Sequence, residues 1–156
     1  MQERSFMDLL RVHEDLDESF LRHQEALMDR RPLEALGWLR RVDGAIEQHV
    51  REEEDVLLPV YRERAGRVEG GSPELFVAEH RKIRAFIHEF MATVSAMVES
   101  PPSRRDVLHL FDRQSLYKHL MEHHDLRERQ FLYPILDRVT TPEERAAMFE
   151  RLQRLR

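Results

Sequence analysis

One pattern occurs twice in this chain and limits what the chain can fold into: His-x3-Glu followed, after five further residues, by Pro. The copies are His49, Glu53 and Pro59 in HVREEEDVLLP, and His124, Glu128 and Pro134 in HDLRERQFLYP. On a helix, residues four apart share a face with Cβ atoms roughly 5–6 Å apart, so each copy aims an imidazole and a carboxylate at one point. A fold that buries these groups must give them partners, because an unpaired buried charge is strongly destabilising. Two such helices turned toward each other would close around a pair of metal ions.

The rest of the chain reads as helix. Five Gly in 156 residues, and no stretch of alternating Val, Ile, Thr and aromatic residues between turn clusters, leave no strand signature. An apolar content of 41% over this length fits one domain spanning residues 1–156, with one core and one site. The net charge of −5, with Arg scattered among Glu, argues against a nucleic-acid partner, which would need a basic face. Without Cys there is no disulfide, thiolate zinc site, Cys-ligated cluster or cysteine nucleophile, so any metal must be held by N and O ligands. The opening MQERSFMDLL has no apolar signal region, and no apolar run approaches the ~20 residues of a membrane span; a cytoplasmic location is expected.

Four long amphipathic patterns can be traced. The first runs from about Ser5 to Arg30 with a stripe of Phe6, Leu9, Leu10, His13, Leu16, Phe20 and Leu27. The second opens at Pro32, carries Leu39, Val42, Ile46, His49, Glu53, Val56 and Val60, and fades near Ala65–Gly66. The third has Ser72 as candidate N-cap, Pro73 in its first turn, and a seam of Phe76, His80, Ile83, Ile87, Phe90, Val94 and Met97. The fourth starts at a capping box, Ser103 with Asp106, and lays out Leu110, Tyr117, Leu120, His124, Glu128, Phe131 and Ile135 before ending near Arg138. Thr141, Pro142 and Glu144 start a short fifth helix over residues 141–154, expected as an appendage to a core of about residues 6–137. Pro59 and Pro134 are expected to kink or end the last turns of their helices. Short connections favour an all-α, up-down-up-down antiparallel four-helix bundle.

Depth along the helices tests that topology. At ~1.5 Å per residue, His13 lies about 12 Å from the start of the first helix and His80 about 10 Å from the start of the third. Glu53 and Glu128 lie about 13–18 Å from the ends of their own helices, with His49 and His124 one turn further in. In an antiparallel bundle all six side chains fall in one layer. The alternative is a metal-free polar core in which His and Glu satisfy one another. His123 competes with His124 as a ligand, but His124 restores the spacing of the first copy to both Glu and Pro. His119 should face solvent, and His23, His88 and His109 are expected at the surface or behind the ligands. Glu52 and Glu54 point about 100° to either side of Glu53 and are expected in solvent; Tyr61 and Tyr133 read as rim packing.

No zinc-protease HExxH, phosphate loop or nucleophile elbow is present, and Glu-x-x-His is absent, which removes the standard ferritin-like carboxylate site. Imidazole with carboxylate suits iron, manganese or zinc. Two bridging carboxylates would place two ions about 3.5–4 Å apart.

In the order His13, His49/Glu53, His80, His124/Glu128, the chain resembles the hemerythrin-like, HHE cation-binding family of four-helix proteins, over about residues 6–137. The resemblance implies a non-haem di-iron centre with an oxo or hydroxo bridge, held by those six residues. Oxygen-carrying members have a second His four residues after the third-helix His; here that residue is Arg84, which presents only donors and cannot ligate iron. The chain therefore looks like the four-His, two-Glu branch. Its implied roles are binding or reacting with O2, NO or peroxide, or handling iron, with reversible O2 carriage disfavoured and no nucleophile or general base in view. The alternative is a metal- or gas-responsive sensing module acting through a protein partner or a homodimer, without turnover.

Overall fold

The computed structural model describes residues 3–156. A 3₁₀ turn, Phe6–Leu10, leads into α1 (Arg11–Met28), followed by α2 (Pro32–Glu52), a π-turn (Glu53–Leu57) and α3 (Leu58–Arg64). Then come α4 (Pro73–Glu99), α5 (Arg104–Arg127), a second π-turn (Glu128–Leu132), α6 (Tyr133–Val139) and α7 (Pro142–Arg154). All regular structure among the described residues is helical. No helix is long and apolar enough to cross a membrane.

Local chemistry sets the boundaries. Ser103 and Thr141 both close full capping boxes, with Asp106 and Glu144. Ser72 precedes α4 in extended conformation, but its side chain makes no capping bond. Gly71 is required by space, since a Cβ there would lie 2.7 Å from Cγ of Phe131.

Neither Pro59 nor Pro134 ends its helix. Each instead follows a turn widened by one residue: the N–H of Leu58 reaches back five residues to the carbonyl of Glu53, and that of Tyr133 to Glu128. Pro59 also leaves the carbonyl of Asp55 without its helical donor. Arg151 of α7 donates to that carbonyl at 3.4 Å.

α1 packs on α2 and α5, and α4 packs on α2 and α5. The stripes meet in two separate apolar clusters. One gathers Leu16, Phe20, Leu39, Ile46, Ile87 and Tyr117; the other gathers Phe6, Leu57, Phe76, Leu132 and Leu136. Residues 13, 49–53, 80 and 124–128 lie between the two in sequence on every helix, and their buried polar side chains form the layer that divides the core.

α7 is more than an appendage. Its Met148, Phe149 and Leu152 are buried in the second cluster, with Phe149 stacked on Phe6 at 5.2 Å between ring centroids. Each such side chain contributes about 1.5–3 kcal/mol by leaving water.

Candidate metal centre

The structure brings the six sequence-derived residues together in that dividing layer, all buried. His49 Nε2 lies 3.1 Å from Oε1 of Glu53 and 3.0 Å from Oε1 of Glu128. His80 Nε2 is 2.9 Å from Oε2 of Glu53. His124 Nε2 is 2.6 Å from Oε1 of Glu128, and His13 Nε2 is 2.7 Å from its Oε2. Candidate ligand atoms of His49, Glu53, His80, His124 and Glu128 all lie within 4.8 Å of one another. His13 joins an adjoining group with Asp125 in which Glu128 is the shared member. His123 is exposed, so His124 is the inward-facing residue of the two.

The opposite ring nitrogens settle the tautomers. His13 Nδ1 pairs with Asp125, His80 Nδ1 with Glu54 at 2.9 Å, and His124 Nδ1 with Glu79 at 3.3 Å. An ionised carboxylate only accepts, so each Nδ1 carries the proton and donates it outward. The Nε2 lone pair of the neutral ring is then left facing the two inner carboxylates. This is the carboxylate–histidine arrangement that holds imidazoles for a metal.

These outer carboxylates follow a rule. Each sits one residue from an inner-layer residue and serves a histidine on another segment: Glu54, beside Glu53, holds His80; Glu79, beside His80, holds His124; Asp125, beside His124, holds His13. Arginines back two of them. Arg127 donates to Glu79 at 3.1 Å and Arg129 to Asp125 at 3.0 Å.

Several expectations are corrected. Glu54 is not a free surface acid, and Glu52 is buried, accepting from Gln48 and from Arg156 beyond α7. Tyr133 is fully buried, its hydroxyl 3.1 Å from Glu53 and 3.2 Å from Glu128. It lies five residues after Glu128, which is 140° away on an α-helix but back on the same side after a π-turn. Tyr61 is buried as well, donating to the carbonyl of Gly71 at 2.5 Å. His23 is neither at the surface nor behind the ligands: its Nδ1 donates to the carbonyl of Ala35 at 2.9 Å and its Nε2 accepts from Gln114 at 2.8 Å, within the first apolar cluster. His88 and His119 are exposed as expected. Arg84 donates to Glu47 at 2.7 Å.

The electrostatics are those of a cluster built for a cation. Burial works against charge on the imidazole of His124, yet the Glu128 carboxylate outweighs it and holds the group up at about 10. His49 is likewise penalised by burial and raised well above its ordinary value by Glu53 and Glu128. Burial pushes Glu128 up, but His124 and His49 hold it well below the usual carboxylate range. Burial pushes the Tyr133 phenol up and the two carboxylates push it further, so it stays a neutral donor.

One observation separates a metal site from a self-satisfied polar core. His13 Nε2 and His124 Nε2 are buried and close to Glu128, yet neither makes a hydrogen bond. Donor atoms converge in this way around a shared cation. The residues fit a metal held by imidazole and carboxylate, and the buried cluster can hold one.

No family model, no curated protein and no solved structure matches the chain.

Proposed function

We propose that this protein is a hemerythrin-like di-iron protein: an up-down-up-down four-helix bundle whose centre binds or reacts with O2, NO or peroxide. The observation that carries this reading is the convergence of four imidazole Nε2 atoms on Glu53 and Glu128, with three of the rings held from behind by Asp125, Glu54 and Glu79. His13 with His49, and His80 with His124, have ring centroids 5.3 and 4.9 Å apart, against 6.0 Å for His49 to His80, which supports two imidazoles for each of two ions. Glu53 and Glu128 would bridge them.

Bound there, iron would supply open coordination positions and one-electron chemistry. The chain's own residues fix the rest. Outward Nδ1–H bonds keep the imidazoles in the ligating tautomer, and the Tyr133 hydroxyl restrains the carboxylates while keeping a proton inside the layer. The apolar clusters on either side exclude bulk water from both ends. Manganese or zinc would suit the same donors. The deciding experiment is metal analysis of protein purified without oxygen, with absorption spectra before and after O2 and NO. About two irons per chain and ligand-dependent visible bands support the reading; protein that takes up no metal sinks it.

A sensing role without turnover is the second reading, favoured by α7. Arg151 and Arg156 tie this helix region to the π-turn that carries Glu53, so a change at the carboxylate reaches the far side of the domain. Metal-dependent hydrogen exchange confined to α7 would support it.

A further inference from the structure

A cavity of about 260 Å³ opens in the seam between α1 and α5, and His13 and Asp125 form part of its wall. Phe20, Tyr117 and Met121, all buried, give it an apolar lining. The volume is several times the ~30 Å³ that one water occupies in the liquid, so a diatomic molecule or a peroxide fits with room to spare. Clefts elsewhere, beside Trp38 and beside Thr93, have no residue of the centre in their walls.

The charges around this cavity are uneven. Asp17, Glu122 and Asp125 face one cation, Lys118, whose ammonium is engaged by Oε1 of Gln24 at 2.6 Å. Asp125 is already bonded to His13 and Arg129, which leaves Asp17 and Glu122 as the carboxylates that an arriving molecule meets. A rim of one sign lowers the local concentration of ions of that sign and leaves neutral molecules alone.

We propose that this cavity is the port through which small ligands reach the centre, and that its acidic rim admits neutral molecules in preference to anions. The proposal rests on the reading of the centre given above and adds the class of ligand it selects: small, uncharged oxygen and nitrogen species. Met121 narrows the port, and Asp17 and Glu122 filter it.

Nitric oxide and azide serve as neutral and anionic probes of iron-loaded protein, mixed by stopped flow after the iron content of each variant is measured. Met121→Trp should fill the cavity and slow both probes about tenfold, a barrier of roughly 1.4 kcal/mol. Leu21→Trp, at a position 48% exposed, gives a second plug that does not disturb the core. The pair Asp17→Asn and Glu122→Gln should raise the azide rate about threefold at low ionic strength, with nitric oxide unchanged and the difference gone in high salt. A readout that needs no metal uses Trp38→Phe with Tyr117→Trp: iodide should quench the new indole less than acrylamide does, and removing the two carboxylates should close the gap. Plugged variants that load iron and react at the parent rate overturn the port. Equal iodide and acrylamide access, or azide indifferent to the two carboxylates, overturns the filter. A parent protein that takes up no iron overturns the centre and the port together.

Discussion

His13 Nε2 lies 2.7 Å from Oε2 of Glu128, facing it without a hydrogen bond, although both residues are buried. Glu128 belongs to both groups of candidate ligands, so its removal should be the most damaging single change at the centre. Glu128→Ala and His49→Ala are each expected to lose bound metal, read by elemental analysis of purified protein. Glu128→Ala should also lower the stability of the metal-free form by about 3–5 kcal/mol, because it strips the counter-charge from buried imidazoles. Full metal content in either variant removes the ligand assignment.

The outer carboxylates should tune metal affinity without being ligands. Glu79→Gln leaves His124 Nδ1 a weaker acceptor and frees Arg127, and Glu54→Gln does the same to His80. Each is expected to weaken metal binding about 10- to 100-fold in a chelator competition while leaving the number of bound ions unchanged. An affinity equal to the parent's would show that the bonds seen here do not orient the rings.

Stability and metal binding should respond to pH in opposite directions. The His124 group is at about 10 in the folded, metal-free protein against 6.5 when free, burial being outweighed by Glu128. A raised group stabilises fully below the unfolded value, so this contribution is present below pH 6.5 and fades as pH rises toward about 10. The melting temperature of metal-free protein should therefore decline across that window. Metal has to displace the same protons, so its affinity should increase over the window, with proton release detectable in weakly buffered solution. Metal uptake with no proton release would contradict the assignment.

Pro59 and Pro134 are expected to matter for the site more than for the fold. Restoring the missing N–H in Pro59→Ala and Pro134→Ala lets an ordinary α-turn compete with the π-turns that follow Glu53 and Glu128. The double variant should keep its helix content by circular dichroism and bind metal about tenfold more weakly, since even small misplacement of a ligand is costly. Unchanged affinity would mean that the prolines merely accompany the wide turns.

The helices and the inner ligands were legible because both rest on a helical period that sequence displays directly: His124 falls on the stripe with Tyr117 and Leu110, and His123 does not. The outer shell was hidden by the same period. Glu54, Glu79 and Asp125 each sit beside an inner-layer residue, about 100° around the helix, where a carboxylate reads as solvated. Each serves a ring on a different segment, and that contact exists only after packing. The signal was present, in hindsight, as an acid adjacent to one residue of every ligand helix. Tyr133 was misread for a different reason: the expectation that Pro134 would end or kink its helix left no way to see that five residues make a full turn here. His23 escaped because its partners, a backbone carbonyl and Gln114, come from distant parts of the chain.

A π-turn is an α-helix carrying one surplus residue. Removing a single residue between Arg129 and Leu132 would let the helix heal into regular α geometry and shift the phase of everything after the cut by about 100°. Tyr133 would then swing off the two carboxylates it touches, and the buried faces of α6 would rotate out of register with α7. The paired wide turns thus make chain length itself a specified property of this domain: at these two places a deletion would cost more than most substitutions.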